Sequence, residues 1–512
     1  MGIPSYYKRL ADSIKGLVIP HRSGSDFKCG TLLFDFNCMI YQIIRDPERR
    51  PFPGYHSGSD AEAWEQECCQ AVVDYTVNIW KELGKPKQVF LGIDGVVPMA
   101  KIRQQRLRRF KSVWTAEQEL TRGIRQPGET RWDTNAITPG TAFMERLGSR
   151  LATLCKTHGW TLSDASQPGE GEQKCMAFWR GLPSSNDPVV IYGLDADLIL
   201  LCLLTRAMKE FKGPVWCFRE SAEWESANAP FMRLSIDKLD EVLRTNSKLD
   251  ALQWTMDYIG AMSFLGNDFV PHGLSLKIRE GGHDRMIAQL KALHAGGMTF
   301  TKKQDGIWQY NLDAVRILVS AWSTDEEVKL KEFMKNKKRR VNYEEWDLQP
   351  CVCAVEEKVL GDGKGGLRAD WRECMLREWF GEGVSWSSIC NDYTSGLQWI
   401  LDYYTAQRAV AKTWIYPWSL PPAWSELSKN LDKEFQAPTV SEDSIQPKEQ
   451  LAMVLPLESW HLIRDKKLAS MPTAYPHFWP KKYGFFSAGK IFMWECEAEL
   501  PLIHLPAVRS LI

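Results

Sequence analysis

Short apolar runs that end in an acid or a turn dominate the first half of the chain, alternating with longer stretches of helical spacing. Thr31–Phe36 (TLLFDF) and Gln88–Ile93 (QVFLGI) are two such runs, and each leads to an aspartate, Asp35 or Asp94. Pro188–Tyr192 (PVVIY) is a third, followed by Gly193-Leu194-Asp195-Ala196-Asp197. Between them, Ala61–Leu83 and Thr141–His158 repeat apolar residues at the period of an amphipathic helix. Strands alternating with helices build a parallel sheet covered by helices. Residues 1–290 are therefore expected to form one α/β domain.

The second half changes character. Leu312–Met334 and Tyr393–Gln407 have helical spacing, and the glycine-rich Gly361–Gly366 lies between them. That stretch lacks the preceding strand and the Gly-Lys-Ser/Thr ending of a phosphate-binding loop, so it reads as a linker. From Pro417 onward the chain is rich in Pro and Trp and is expected to be irregular. Residues 291–512 are thus expected to be a mainly helical region, packed on the α/β domain and completing a substrate channel. A chain of 512 residues is too long for a single core.

Acids give the α/β reading its chemistry. Asp35, Asp94, Glu170, Glu172, Asp195, Asp197 and Asp268 each read as the end of a strand. Acids at separate strand ends converge at the sheet edge where open α/β folds bind ligands. Like charges a few ångströms apart resist joint ionisation, so such a set calls for cations. A pair of Mg²⁺ ions and phosphoryl chemistry is the economical reading. Glu170 and Glu172, in Gly169-Glu170-Gly171-Glu172, also fit an ordinary helix N-terminus, where acids are favoured by the dipole.

A basic block follows Asp94. In Lys101–Arg109 (KIRQQRLRR), helical spacing puts Lys101, Gln105 and Arg108 or Arg109 on one face. Such a face can clamp a phosphate, Arg supplying paired charged donors and Gln neutral ones. The other basic run, Lys335–Arg340, reads as an exposed helix end or loop rather than a nuclear signal or an RNA contact.

Composition narrows the class further. Lys plus Arg and Asp plus Glu both number 64, so a nucleic-acid partner must be held by a local patch. The 22 tryptophans suit bulky core packing, with a few rings left for stacking on bases. Thirteen cysteines form no zinc-ligand pattern, Cys351-x-Cys353 being a lone pair. Met1-Gly2-Ile3-Pro4-Ser5-Tyr6 only nearly matches an acylation signal. No apolar run is long enough to span a bilayer. The expectation is a soluble intracellular protein, cytoplasmic rather than nuclear, with no membrane partner.

Taken in order, these segments resemble the Xrn family of 5′→3′ exoribonucleases. The resemblance runs from MGIPSYY (1–7) through FDFNCMIY (34–41), IDGVVPMAKIRQQRLRRF (93–110) and TNAITPGTAFM (134–144). It continues through GEGEQK (169–174), IYGLDADLILL (191–201), FLGNDFVPHGLSLKIREGG (264–282), GLQWILDYY (396–404) and WIYPW (414–418), to EQLAMVLP (450–457) and Trp494-Glu495. The fold it implies is a PIN-like, flap-nuclease-like parallel sheet flanked by helices. It implies that the seven acids hold two Mg²⁺ ions, with Mn²⁺ able to substitute, and that Asn37 lies beside them. Lys101, Gln105, Arg108 and Arg109 would form the pocket for the 5′-monophosphate of single-stranded RNA. A pocket sized for a monophosphate would refuse capped or triphosphorylated ends. The implied reaction is processive release of mononucleotides, in RNA decay, by a monomer whose protein partners are unspecified.

Two positions depart from the family pattern. Tyr41 stands where the family has a base-stacking His, so stacking is kept but a titratable charge is lost. Gln173 replaces another His. Trp414 is the candidate ring opposite Tyr41. The chain stops where the family core stops, in keeping with a stripped-down viral or divergent member. Two other functions compete with this reading. A flap endonuclease acting on DNA shares the acids and the basic helix, but it carries a glycine-rich helix–hairpin–helix where this chain reads FVPHGLSLK (269–277). A nuclease-dead RNA-binding protein would lack one of the acids.

Overall fold

The computed structural model describes the chain apart from residues 1, 2, 4, 47, 127, 129, 223–228, 341–350, 511 and 512, and apart from the side chains of residues 340 and 351–354. Much of the near-match to an acylation signal, and the side chains of Cys351 and Cys353, therefore lie outside the described residues. The contacts divide the chain into two units. One comprises residues 10–243, 443–481 and 503–512; the other comprises 1–9, 244–442 and 482–502. Residues 244–290, read from sequence with the α/β region, group with the second of these. No described helix is long and apolar enough to cross a membrane.

The first unit is built on a seven-stranded sheet. Its strands are β1 (Val18–His21), β2 (Thr31–Asp35), β3 (Gln88–Gly92), β4 (Thr161–Ser163), β5 (Val189–Tyr192), β6 (Val215–Glu220) and β7 (Phe231–Ser235), in the spatial order β1-β7-β6-β5-β2-β3-β4. The five strands from β6 to β4 pair in parallel, as the alternation of strand and helix signals requires. At the other edge β7 and β1 are antiparallel, which makes the whole sheet mixed. Edge placement suits β1, because its Pro20 lacks the N–H a central strand must donate.

The order of connection fixes where a ligand can sit. From β2 the chain steps outward to β3 and β4, then returns to the opposite side of β2 as β5 and continues to β6. The reversal between β2 and β5 is a switch point, and open α/β sheets leave a crevice there at the carboxyl ends of the strands. β2 and β5 are buried along nearly their whole length, as expected of strands covered on both faces. The helices expected at 61–83 and 141–158 occur as Ser59–Glu82 and Ala142–His158. Thr141 caps the latter by accepting the Met144 N–H, and Gly159 ends it in the left-handed region at φ 71°. Their apolar faces pack with Leu32, Phe34, Val190 and Tyr192 of the sheet into one core.

The second unit is mainly helical, with Ala251–Ser263, Gly282–Ala295, Leu312–Arg340 and Trp386–Thr405 as its longer helices and a small hairpin of β8 (Thr301–Gln304) and β9 (Ile307–Tyr310). The glycine-rich stretch is a linker. Asp362 Oδ1 accepts the Lys364 and Gly366 N–H groups at 2.7 and 2.9 Å, so two amides a phosphate would need are taken. The tail is more ordered than expected, with short helices at Trp424–Lys429 and Pro447–Val454.

The basic run 335–340 is only partly an exposed helix end. Lys337 is buried, and its ammonium donates to both Glu356 oxygens at 2.7 and 2.9 Å. Gly489 N–H donates to the same carboxylate, and Lys277 Nζ donates to Gly489 O at 2.6 Å while lying over the Phe333 ring. Burial pushes the Lys277 ammonium down from 10.5 to about 7, with Glu356 opposing and Lys490 and Lys337 reinforcing. Between those values the unfolded chain binds a proton that the folded chain lacks, so this group makes stability rise with pH. Below the folded value the full cost of burying the charge applies. From about pH 7.5 to about pH 9.5, wild type should gain on the order of 2 kcal/mol relative to Lys277→Met in urea unfolding. A difference that stays flat with pH would mean that Lys277 is not titrating in this range.

Candidate metal and phosphate site

Six of the seven acids meet at the switch point. Asp35 is the last residue of β2, Asp94 lies just beyond β3, and Asp195 follows the turn after β5. Asp197 is the first residue of the Asp197–Met208 helix and only 1% exposed. Glu170 and Glu172 are buried at the N-terminus of the Gly171–Gly181 helix rather than at a strand end. Carboxylate oxygens of Glu172, Asp195 and Asp197 lie within 4.8 Å of one another. Burial, then the charges of Asp94, Asp195 and Asp197, holds Asp35 well above the usual carboxylate range. Glu172 is raised by burial and then by Asp197 and Glu170. The six acids thus form one repelling cluster.

Asp268 needs a correction. The apolar run before it is not a strand but the end of the buried Ala251–Ser263 helix, since a short continuous apolar run fits either element. Asp268 belongs to the second unit and is half-buried in a tight turn. There Gly266 has φ +85° and Asn267 Oδ1 accepts the Phe269 and Val270 N–H groups.

Backbone N–H groups, the Asn37 amide and the Lys174 ammonium hold the cluster in place. Gly171 N–H donates to Asp94 Oδ1 at 2.7 Å, and Asn37 Nδ2 donates to Asp94 Oδ2 at 3.0 Å. Asn37 Oδ1 in turn accepts the Asp94 N–H. Lys174 donates to Ile93 O and Asp164 O at 2.6 and 2.9 Å, joining the exits of β3 and β4 to the helix that carries Glu172. A Cβ on Gly171 would lie 2.6 Å from Gly92 O and 2.8 Å from Asp35 Oδ1. Gly171→Ala should therefore push Glu170 and Glu172 away from Asp35. A misplacement near 1 Å costs roughly 10²-fold in rate, to be read as kcat at saturating cation beside a thermal melt. Unchanged kcat would mean that this contact does not set the geometry.

The basic block forms part of the Met99–Thr121 helix. Lys101, Gln105 and Arg109 are its buried residues at four-residue intervals, whereas Arg108 is half-buried. Gln105 Oε1 and Arg109 Nη1 are buried and without a hydrogen-bond partner among the described residues. Burial pushes the Arg109 guanidinium down to about 10, with the Tyr41 hydroxyl opposing. A buried guanidinium is costly unless an anion faces it. Lys101 is placed differently from the expectation of a phosphate pocket alone: its ammonium pairs with Glu170 Oε2 at 2.6 Å.

Sequence reasoning passed over Arg106. It is buried on a neighbouring face of the same helix and donates to Met453 O at 2.8 Å and to Phe478 O, its guanidinium lying over the Phe110 ring. It ties the returning segment 443–481 to the basic helix. Only contacts more than three hundred residues away distinguish it from its arginine neighbours.

The two stacking candidates lie in different units. Tyr41 is half-buried, with the Arg45 guanidinium 5.3 Å from its ring centre. Trp414 is half-buried against Trp399, their rings 5.1 Å apart. Gly396 lets it approach, since a Cβ there would be 2.8 Å from the Trp414 ring.

The donor set fits a hard divalent cation. It is all oxygen, it is crowded enough to demand positive charge, and Glu172 Oε1 is buried without a hydrogen-bond partner among the described residues. A cation site beside a buried guanidinium and amide suits chemistry on a phosphate ester.

Comparison with known proteins converges on the same chemistry. Residues 1–211 match the family model described as the XRN 5′-3′ exonuclease N-terminus, and residues 381–509 match the Xrn1 helical domain. A 5′-3′ exoribonuclease 2 of Saccharomyces cerevisiae is 28% identical over 457 residues, covering 72% of this chain and 44% of that protein. Its namesake in Yarrowia lipolytica is 31% identical over 424 residues, covering 67% and 40%. The one in Schizosaccharomyces pombe is 32% identical over 384 residues, covering 63% and 37%. The chain spans less than half the length of these relatives.

Proposed function

The chain belongs to the Xrn family of 5′-3′ exonucleases, and from that premise we propose that it degrades 5′-monophosphorylated single-stranded RNA, one nucleotide at a time from the 5′ end, in RNA decay. The observation that carries the proposal is the meeting of six carboxylates, four buried and two half-buried, beside the buried Gln105 and Arg109.

The six acids would hold two Mg²⁺ ions, or Mn²⁺ in their place. When bound, such ions supply Lewis acidity that makes water a better nucleophile and stabilises the leaving 3′-oxygen. Everything else is done by the chain's own groups. Arg109, with Arg108 beside it and Gln105 a turn earlier, grips the terminal phosphate through charged and neutral donors. That grip sets the first internucleotide linkage, one nucleotide from the held 5′ end, at the acids, which makes the activity exonucleolytic. Asn37 and Gly171 fix the direction of the Asp94 carboxylate. Tyr41 stacks on a terminal base and carries no base code. For Asp268 as a seventh acid, and for Trp414 as a second stacking ring, the proposal rests on the family resemblance alone.

The test is polarity. With Mg²⁺, RNA labelled at its 5′-monophosphate should yield labelled mononucleotide as the first product, while 3′-labelled RNA stays long and then shortens. Labelled internal fragments appearing first would refute the exonuclease reading.

A further inference from the structure

Lys101 pairs with one anion and lies on the helix face proposed to grip another. Its position on the Met99–Thr121 helix aligns it with Gln105 and Arg109, one and two turns further on, on the face proposed to grip the 5′-phosphate. Yet its ammonium is paired with Glu170, and its charge also acts on Asp35 and Glu172. Lys101 and Glu170 are both buried, so the pair is screened little by solvent.

We propose that Lys101 is a shared cation: it balances Glu170 until a divalent ion does so, then turns to the 5′-phosphate, so that cation and phosphate bind cooperatively through this side chain. The inference rests on the phosphate-pocket reading above and adds to it an order of events. Charge dictates the direction of the exchange. A divalent ion on Glu170 cancels the attraction holding Lys101 and repels its ammonium. With the acids met by cations, the anion left for Lys101 is the terminal phosphate that Gln105 and Arg109 on the same helix face are proposed to hold. Its neighbours there do not replace it: Gln105 is neutral, and Arg109 is fixed in a planar, buried fork. The flexible four-carbon stem of lysine allows the move. Coupling of this kind is reciprocal, so the phosphate must tighten the cation by the same factor.

The test is calorimetric binding of adenosine 5′-monophosphate and of adenosine to the full chain, with Mg²⁺ or with EDTA; neither ligand has a linkage to cleave. In wild type, Mg²⁺ should tighten the monophosphate at least roughly fivefold, the lower end of ordinary coupling, and leave adenosine unchanged. Lys101→Met should reduce that gain to less than about twofold, with folding checked by thermal melt. Glu170→Gln, which frees Lys101 from its partner, should bind the monophosphate in EDTA almost as tightly as wild type does in Mg²⁺. A Lys101→Met protein that keeps the full gain, or a Glu170→Gln protein that shows no rise in EDTA, overturns the sharing and leaves the pocket standing. Wild type that binds both ligands alike overturns the pocket and the sharing together.

Discussion

Asp197→Asn is expected to lower Mg²⁺-dependent release of mononucleotides by at least about 10³-fold, roughly 4 kcal/mol of transition-state stabilisation. The substitution keeps the shape of the side chain and removes one charge from a group that is 1% exposed and within 4.8 Å of Glu172 and Asp195 through its oxygens. The same change should leave the cation-free protein as stable as wild type, or more so. Asp197 is among the charges that hold Asp35 and Glu172 above their ordinary range, so its loss relieves repulsion. A sharp loss of activity with no loss of melting temperature separates a site acid from a structural one. Wild-type activity in the variant would remove Asp197 from the mechanism.

Arg109→Ala is the second large effect. Loss of a charged, buried grip on the phosphate should lower kcat/KM on 5′-monophosphorylated RNA by roughly 10- to 100-fold, taking about 1.5–3 kcal/mol for the hydrogen bonds lost. Activity on 5′-hydroxyl RNA should change little, so the preference between the two ends collapses. Arg109 Nη1 has no hydrogen-bond partner among the described residues to compensate its burial, which is why the effect is expected in binding rather than in folding. A variant that discriminates as sharply as wild type places the pocket elsewhere. Arg106→Ala is the natural comparison, because that guanidinium is spent on Met453 O and Phe478 O and its loss should appear chiefly as instability.

The sequence made the strand–helix alternation and the acids legible because both are local. An apolar run that stops at Asp35 or Asp94 announces a buried strand and its end within six residues. Two kinds of feature escaped it. The antiparallel strands β1, at the sheet edge, and β7 beside it are short and carry polar or proline residues, so neither contrasts with its surroundings. Asp268 was read as following a strand because a buried helix end and a buried strand look alike over a few apolar residues. The grouping of residues 244–290 with the helical unit, the Lys101–Glu170 pair and the Arg106 tether all depend on contacts between distant segments. Helical spacing groups Lys101 with Gln105 and Arg109, but only the three-dimensional neighbourhood shows that its ammonium is paired with Glu170.

The most direct measurement follows one RNA sequence prepared with a 5′-monophosphate, a 5′-hydroxyl or a 5′-triphosphate, each digested with Mg²⁺ or with EDTA and resolved at single-nucleotide length. The account predicts mononucleotides from the monophosphate RNA alone, and only with Mg²⁺. Internal fragments, equal digestion of all three ends, or digestion in EDTA would contradict it.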